Sequence, residues 1–427
     1  MNHLIQVCIF EDDVAKGFSP YQLTRPIYTL PNGMYNLVEK IQATYKDAPL
    51  TLLCQPHHEI FLKRRFPKVA INQLNKSLPT LFINGRFSFT QAQFHGLLNE
   101  INYQKNNLFV SQKSIAAIYS NDSQLEPIFN ALLKQPSFDS IVAQFRNYCQ
   151  VKEKKHLQTI EYWWELINHF SNNIVKDFEL FDKRSLIEGD VSSFAILTKD
   201  NDMYIDANAK VSEYVSLDAS KGPIIIMDHV TIEPFTRIEG PCFIGSNTII
   251  HAHAHIARCY IGKSCKIGGE LKNSIFQSYS NKGHFGFVGD SIIGEWVNLG
   301  AGTTTSNLKL SYGEISSFQN GTTTPIKTKM QFLGSLFGDF VKTSIQSKFD
   351  CGSVIGNACS LFGSDPHAKL IPSFTWGKCN HYEHQNIGSF IHALGRVMKR
   401  RNLALSEEES LRLKRIYDDY RKLNVIA

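Results

Sequence analysis

Hydrophobic positions recur at a fixed interval of six residues along the middle of this chain. The run is Ile226, Ile232, Ile238, Ile244, Ile250 and Ile256, and the step recurs from Ile261 to Ile267 and from Ile293 to Leu299. Helices repeat apolar positions about every 3.6 residues and strands about every 2, so neither explains this step. Strands of a β-sandwich would match it only by chance. A left-handed parallel β-helix explains it, because each side of a triangular coil takes one hexapeptide and points one aliphatic side chain inward.

Glycines and interruptions add detail to the predicted β-helix, which we place at residues 183–385. Gly245, Gly262, Gly294 and Gly300 directly follow inward positions, where we expect the corner to need a tight backbone. The six-residue step breaks near 268–290 and again near 312–340. Insertions in solenoids collect on one face, often the binding face, so we expect the chemistry in these segments.

The first part of the chain, residues 1–182, alternates strand-like and helix-like patterns. The predicted strands are Leu4–Phe10, Leu50–Cys54, Thr80–Asn84 and Ile115–Tyr119, and the predicted helices are Met34–Tyr45, Thr90–Glu100, Gln124–Lys134 and an aromatic connector, Thr159–Asn173. This alternation predicts an α/β domain with a mostly parallel sheet.

The last segment, residues 386–427, is predicted to be a basic amphipathic helical tail. Ser406 and Glu409 form a candidate capping box at the start of a helix. We expect the tail to pack against the end of the β-helix or against a neighbouring subunit.

Composition limits the classes of partner. The net charge of +6 suits anionic small molecules and is too mild and dispersed to indicate nucleic acid. No run of about 18 apolar residues occurs, which predicts no membrane insertion. Glu11–Asp13 precede any apolar run of signal-peptide length, and the nine cysteines include no C-x-x-C pair. We therefore expect a cytoplasmic protein with reduced, mostly buried cysteines.

Three motifs carry a specific resemblance. They are Ser-Asn-Lys-Gly-His at 280–284, Gly-Glu-Trp-Val-Asn-Leu-Gly-Ala at 294–301 and Asn-Leu-Lys at 307–309, and the segments 362–364 and 371–377 match as well. The motifs resemble the divergent bacterial form of the bifunctional UDP-N-acetylglucosamine diphosphorylase and glucosamine-1-phosphate N-acetyltransferase. That resemblance implies acetyl transfer from acetyl-CoA to glucosamine 1-phosphate on a hexapeptide-repeat β-helix.

The resemblance also implies roles for single residues. His284 falls on the family's catalytic base, and histidine suits that role because its charge changes near working pH. By resemblance, Lys272 and Lys309 hold the sugar phosphate, Arg237 joins them, Asn298 and Asn307 contact the sugar, and Ala301 contacts acetyl-CoA. The family rule is a homotrimer with the acetyl-CoA groove between neighbouring β-helices.

The N-terminal part is similar to the sugar nucleotidyltransferase domain of the same family. The similarity rests on Phe10-Glu11-Asp12, Leu23-Thr24-Arg25-Pro26 and Asn84-Gly85-Arg86. It implies uridylyl transfer from UTP with Mg²⁺, and Asp12, Arg25, Lys40 and Asn84 are the candidate nucleotide-binding residues. The usual glycine-rich phosphate loop is absent here, with only Gly17 left in that segment.

Three functions stay open from the sequence. The first is a bifunctional enzyme that makes UDP-N-acetylglucosamine. The second is a single-activity enzyme, either an acyltransferase on another amino sugar or a nucleotidyltransferase. The third is a non-enzymatic scaffold that binds a sugar nucleotide. His251, His253 and His255 alternate along a presumed strand, so they are expected to share one side, which is either a polar face or a metal site.

Overall fold

The computed structural model describes residues 5–46, 48–121, 124–154, 157–183, 185–319, 322–379 and 381–422. The chain forms two compact units, one of Met1–Phe18 with Thr24–Trp163 and one of Ser19–Leu23 with Trp164–Ala427. The predicted domain boundaries at 182/183 and 385/386 stay predictions. Within the described ranges, no helix combines the length and the apolar character that crossing a membrane requires.

Most helices belong to the first unit or to the ends of the second. The α-helices are α1 (Tyr21–Thr24), α2 (Leu37–Thr44), α3 (Glu59–Arg65), α4 (Gln91–Asn99), α5 (Leu125–Leu132), α6 (Phe138–Phe145), α7 (Trp163–Glu179), α8 (Ile387–Lys399) and α9 (Glu407–Arg421). Short 3₁₀ helices cover Asp13–Phe18, Ile27–Thr29, Pro56–His58 and Asp200–Asp202.

The first unit is an α/β domain, as predicted. Its strands are β1 (Gln6–Phe10), β2 (Leu50–Leu52), β3 (Ala70–Ile71), β4 (Thr80–Asn84), β5 (Phe87–Ser88), β6 (Asn106–Ser111), β7 (Ser114–Ser120), β8 (Cys149–Glu153) and β9 (Gln158–Thr159). Seven of them form one sheet in the order β3-β2-β1-β4-β7-β6-β8. Only β7 runs antiparallel to its neighbours. Strands β1 and β4 are buried along their whole length, because apolar clusters cover both faces of the sheet.

The second unit is a parallel β-helix with three faces. Face 1 contains β10 (Asp190–Val191), β13 (Lys210–Val211), β16 (Thr231–Ile232), β19 (Ile249–Ile250), β22 (Lys266–Ile267) and β25 (Asn281–Lys282), followed by β32 (Lys342–Thr343), β35 (Ser360–Leu361), β37 (Thr375–Lys378) and β38 (His381–His384). Face 2 contains β11 (Ile196–Thr198), β14 (Ser216–Asp218), β17 (Arg237–Glu239), β20 (His255–Ala257), β23 (Glu270–Lys272) and β26 (Phe287–Gly289).

Face 3 is one continuous sheet of nine strands. It contains β12 (Met203–Ile205), β15 (Ile224–Ile226), β18 (Cys242–Ile244), β21 (Tyr260–Ile261), β24 (Ile275–Phe276), β27 (Ile292–Ile293), β31 (Leu336–Phe337), β34 (Val354–Ile355) and β36 (Leu370–Ile371). Two shorter pairs complete the unit, the parallel β28 (Thr304–Thr305) with β33 (Lys348–Phe349) and the antiparallel β29 (Ser316–Ser317) with β30 (Ile326–Lys327).

The isoleucine ladder is confirmed by the strand register. Ile232 pairs with Ile250, which pairs with Ile267 in the next coil, and Ile238 pairs with Ile256 on the adjoining face. All the isoleucines of the predicted run from 226 to 267 are fully buried in one core. This contiguous apolar interior is what stabilises the stacked coils. The cysteine prediction is confirmed too, since all nine are free thiols and only Cys379 is not buried.

The tight backbone turns at the corners do not fall on the predicted glycines. Positive φ angles fall two residues after the predicted glycines, on residues such as Asn247 (60°), Ser264 (58°) and Trp296 (60°). The glycines are needed for another reason. A Cβ on Gly262 would lie 2.6 Å from the backbone nitrogen of Ser278 in the next coil. These glycines therefore permit close stacking of coils, while other residues adopt the left-handed turn.

The first interruption is no break in the coil. Strands β23 to β26 continue all three faces through residues 270–289, with a corner of only Gly268 and Gly269. The pattern fails in the sequence because Lys282 occupies an inward position where isoleucine is expected. The second interruption is real, because the chain leaves the coil after β28 and returns at β31.

The C-terminal helices pack along one corner of the same β-helix and not on its end. Phe390, Leu394 and Met398 of α8 join Leu413 and Ile416 of α9 in one buried cluster. Their partners at the corner between faces 3 and 1 are Trp296, Phe340, Ala358 and Phe374. Of the predicted capping box, the Ser406 side chain accepts from the Glu409 nitrogen, whereas the Glu409 carboxylate binds Arg412.

Candidate functional site

His284 lies on the corner between faces 1 and 2, between β25 and β26. Its side chain is exposed, and among the described residues it has no side-chain hydrogen bond. Its carbonyl oxygen accepts a hydrogen bond of 2.9 Å from Lys282. Gly286 follows with a φ of 122°, which L side chains rarely adopt. The corner therefore presents an imidazole whose nitrogens are available to a substrate.

Lys272 and Asn307 approach each other on face 2 beside Gly289. Lys272 is the exposed end of β23 and pairs in register with Gly289 of the next coil. A Cβ on Gly289 would lie 3.0 Å from Nδ2 of Asn307 and 2.4 Å from the ring of Phe287. His284 precedes Phe287 by three residues, a chain distance of at most about 11 Å. Lys272 and Asn307 thus lie near the end of face 2, whereas His284 lies at the corner where this face begins.

Asp290 fixes the amide orientation of Asn307. It lies at the corner between faces 2 and 3 and is 7% exposed. One carboxylate oxygen accepts from Nδ2 of Asn307 and the other from Nδ2 of Asn273, each at 2.7 Å. Because both amide nitrogens face the carboxylate, Asn307 presents its carbonyl oxygen away from it. A substrate donor, such as a hydroxyl or an amine, fits that acceptor. Asp290 could not be singled out from the sequence, since an aspartate at a corner is typical of turns.

Replacing Asp290 with asparagine is expected to raise KM for the acceptor that the motifs predict, an amino-sugar phosphate, about tenfold and to change kcat less. The single carbonyl oxygen of the new side chain can accept from only one of the two neighbouring amides, so Asn307 is free to turn its nitrogen outward. The hydrogen bond that is lost contributes about 1 kcal/mol. Steady-state kinetics with varied acceptor measures this. Asn273→Ala, which removes the other partner, is the control and should leave KM near wild type. An unchanged KM in Asp290→Asn contradicts the argument.

A cleft of about 380 Å³ opens next to Lys272 on the same face. Its lining includes the cations Arg258 and Lys272, the small side chain of Ala257 and two carboxylates, Glu239 and Glu270. Neither cation makes an ion pair within the part of the chain that the structure describes. Two uncommitted cations beside a small side chain suit a phosphate group. Arg258 was missed in the sequence because it lies in a corner, outside every motif.

Arg237, the arginine suggested by resemblance, has other partners in the structure. Its guanidinium donates to Glu239 at 3.0 Å and lies 3.7 Å from Asp218. Hydrogen bonds from Arg237 and from His255 lower the pKa of Glu239 to about 2, so this carboxylate stays charged across the working range. The positive charge of Arg237 is therefore largely neutralised by Glu239 and Asp218.

Replacing Arg258 with alanine is expected to raise KM for the sugar phosphate by about tenfold or more, since charge-assisted hydrogen bonds contribute about 1.5–3 kcal/mol. Arg237→Ala is the matched control, with the same substitution on the same face, and should change KM less than about twofold. Kinetics with the phosphorylated acceptor measures both. A larger effect at Arg237 than at Arg258 would reverse the assignment.

The remaining predicted residues lie apart from the cleft. Asn298 continues face 1, where its side-chain oxygen accepts from Asn281 at 3.4 Å. Ala301 lies on the same corner as His284, one coil further along, since Gly302 donates to the carbonyl of Phe285. Lys309 begins the excursion after β28 and donates to the carbonyl oxygen of Glu314. One chain therefore presents these groups on two sides of the His284 corner.

The prediction that the three clustered histidines share one side is wrong. They span a corner, with φ of 61° at His253, and not a strand. His251 lies 3.3 Å from Glu233, His255 lies 3.2 Å from Glu239, and His253 stacks on Phe235. A corner turns successive side chains in different directions, which the sequence spacing of two could not reveal. In the described ranges, no group of three metal-binding side chains converges.

The candidate nucleotide-binding residues of the first unit are all buried. Asp12 accepts two hydrogen bonds from Arg86, at 2.8 and 2.5 Å, and a third from Asn84 at 2.8 Å. Arg25 lies over the ring of Phe61, and Lys40 donates to the carbonyl of Asn32 at 3.5 Å. The structure joins Asp12 and Asn84 in one network, with Arg86 as the member that the sequence did not single out.

Glu11 and Asp12, the first two acids after β1, do not fit a Mg²⁺ site. Burial raises the pKa of Glu11 to about 8, and its two oxygens accept from the backbone of Ile27 and from Gln135. Asp12 is already occupied by Arg86. Mg²⁺ needs charged oxygen ligands that keep room for water and phosphate. Glu11 and Asp12 therefore do not supply the ligands of a Mg²⁺ ion.

The fold joins an α/β domain to a parallel β-helix, and the comparisons with known proteins concern both parts. Residues 7–185 match the family model described as "Sugar nucleotidyl transferase". The chain is similar to the bifunctional protein GlmU of Wigglesworthia glossinidia brevipalpis, with 30% identity over 49% of this chain and 44% of the relative. GlmU of Methanococcus aeolicus is 31% identical over 45% of this chain and 43% of the relative. These findings support a divergent GlmU-like family, as the motifs predicted.

The aligned part spans less than half the length of these curated relatives. A solved structure, the UDP-N-acetylglucosamine acyltransferase of Francisella novicida, overlaps 55% of this chain and 88% of its own at a TM-score of 0.30 and 13% identity. A likeness this weak adds nothing to the fold that the strand register already defines.

Proposed function

We propose that the β-helix transfers the acetyl group of acetyl-CoA to the amine of glucosamine 1-phosphate. The N-terminal domain then transfers uridylyl from UTP to the product, which yields UDP-N-acetylglucosamine. The observation that carries this proposal is a cleft on face 2. Lys272 and Arg258, which form no ion pair with any described residue, line this cleft beside the strand that follows His284. Cations for a phosphate and a base for an amine are the two groups that this reaction needs.

The proposed chemistry uses His284 as a general base. The imidazole takes a proton from the attacking amine as its nitrogen forms a bond to the thioester carbonyl carbon. The carbon–sulfur bond then breaks, and the sulfur of coenzyme A leaves with the proton that the imidazole carries. Lys272 and Arg258 hold the phosphate, and Asn307, oriented by Asp290, accepts a hydrogen bond from the sugar.

A homotrimer is part of the proposal. Asn298 and Ala301 lie on or beside face 1, while Lys272 and Asn307 belong to the other side of the His284 corner. A groove between two chains would gather these groups by pairing face 2 of one with face 1 of the next. Exposed apolar side chains along this corner, among them Phe235 and Phe285, support such a contact.

A specific observation favours one alternative, in which the N-terminal domain has no turnover. Glu11 and Asp12 follow β1, yet both are committed to internal partners. Acetyl transfer by the β-helix does not depend on them. The alternative therefore retains the first reaction and loses the second.

Two assays on the full chain test these functions. The first supplies acetyl-CoA and glucosamine 1-phosphate and measures free coenzyme A thiol; no thiol release contradicts acetyl transfer. The second supplies UTP, Mg²⁺ and N-acetylglucosamine 1-phosphate and measures pyrophosphate. Thiol release without pyrophosphate supports the single-activity alternative. Sedimentation velocity tests the trimer, which a monomer would contradict.

A further inference from the structure

Lys282 occupies the interior of the β-helix, at the end of a face 1 column that is aliphatic from Val211 to Ile267. The inward residues of successive face 1 strands are Val211, Ile232, Ile250 and Ile267, and Lys282 pairs directly with Ile267. Its side chain is 1% exposed. Lysine is almost never fully buried unless its charge is compensated, and an apolar residue fits such a column at lower cost. The position therefore points to a role beyond packing.

The amine of Lys282 binds two backbone carbonyls. Nζ donates to the oxygen of Gly268 and to the oxygen of His284, both at 2.9 Å. Gly269 leaves room for it, because a Cβ there would lie 2.7 Å from Nζ. An ammonium has three donors, so two of them are used to connect one coil to the segment that carries His284.

The segment from 283 to 286 needs such a connection. Glycine at 283 and at 286 gives its backbone more freedom than other residues allow. The direction of the His284 carbonyl is linked to the backbone torsion that also sets the direction of its Cβ. Holding that carbonyl therefore restrains where the imidazole points.

The charge of Lys282 is consistent with this role. Burial lowers the pKa of Lys282 to about 8, and the nearby Glu270 opposes that effect. The amine is thus protonated below about pH 8, where it can donate to both carbonyls at once. Because Lys282 is buried and two of its donors bind backbone carbonyls, the amine has no contact with a substrate and is not the base.

We propose that Lys282 is a positioning residue for acetyl transfer, because its buried amine fixes the backbone at His284 and so aims the imidazole. The inference rests on the proposed function, in which His284 is the base. It adds a residue that acts through His284 and never touches the substrate.

The test replaces Lys282 with methionine, which keeps the length and fits an aliphatic column. We expect kcat for acetyl transfer to fall about 10- to 100-fold, since a small misplacement of a reacting group can cost about that much. KM for the amino-sugar phosphate should change less than about threefold, because the phosphate site is intact. Lys266→Met is the matched control, with the same change on the outward side of the preceding face 1 strand, and should retain wild-type kcat.

A second measurement does not depend on activity. Amide hydrogen exchange across residues 283–286 should become at least about ten times faster in Lys282→Met, whereas exchange in the face 3 strands stays unchanged. A merely structural role predicts altered thermal unfolding with normal kcat. Normal kcat, or unaltered exchange at 283–286, overturns the inference.

The outcomes separate this inference from the proposed function. If His284→Ala keeps the wild-type rate, or wild type releases no thiol, the proposed function fails. If His284→Ala is inactive while Lys282→Met retains full kcat, only the positioning role fails. Lys282→Arg, which keeps charged donors, should recover part of kcat and restore slow exchange if it folds as wild type by thermal unfolding.

Discussion

Replacing His284 with alanine is expected to lower kcat for acetyl transfer by at least about a hundredfold. The variant removes the group that takes the proton from the amine, and general base catalysis contributes about 10²–10⁴ in rate. The imidazole is exposed and makes no contact that stabilises the fold among the described residues, so the variant should fold normally. Thiol release from acetyl-CoA at saturating glucosamine 1-phosphate measures kcat directly.

His253→Ala provides the matched control for this experiment. His253 lies on the same corner of the β-helix and is exposed as well, where it stacks on Phe235 at 5.2 Å between ring centres. Its loss should change kcat less than about twofold. Equal rates for wild type and His284→Ala, with the same melting temperature, would remove His284 from the mechanism.

Replacing Arg86 with methionine is expected to destabilise the N-terminal unit by about 3–5 kcal/mol, because it leaves the buried carboxylate of Asp12 without its partner. The Asp12–Arg86 pair is nearly inaccessible to water, and Arg86 also donates to the carbonyl of Ile160 at 2.9 Å. Hydrogen exchange of the β1 and β4 amides measures the free energy of opening for this unit.

Lys63→Met is the control, because Lys63 pairs with Glu59 at an exposed site where ion pairs contribute less than about 1 kcal/mol. The double variant Asp12→Asn with Arg86→Met should recover much of the loss, since it removes the buried charge. If that variant folds and still releases pyrophosphate from UTP, the role of Asp12 is structural. If Arg86→Met is as stable as wild type, the buried pair does not support the domain.

The β-helix could be predicted from the sequence because it follows from a single repeat, the six-residue spacing of inward side chains. A residue such as Ile250 points inward by virtue of its place in a six-residue step, and the step alone specifies the stacking. The first unit was predictable for a similar reason, since β4, bounded as Thr80–Asn84, is a continuous apolar run buried on both sides.

The candidate site was less accessible from the sequence, since it depends on contacts between coils. Asp290 meets Asn273 and Asn307 only because each lies 17 residues away, on the same corner of a neighbouring coil. The role of Lys282 is hidden as well, because it replaces an isoleucine and so looks like a break in the pattern. The directions of the clustered histidine side chains could not be predicted either. A corner turns successive side chains to different sides even when they alternate along the sequence.

Two aromatic columns at corners of the β-helix differ in their exposure to solvent. At the corner between faces 3 and 1, Trp296 and Phe374 are sealed from water by α8 and α9. At the corner between faces 1 and 2, Tyr214 stacks on Phe235 with 5.3 Å between the ring centres, and both rings are exposed to solvent. Among the described residues, α8 and α9 cover the first column and no element covers the second. The exposed column is therefore the surface at which copies of this protein would meet in the proposed trimer.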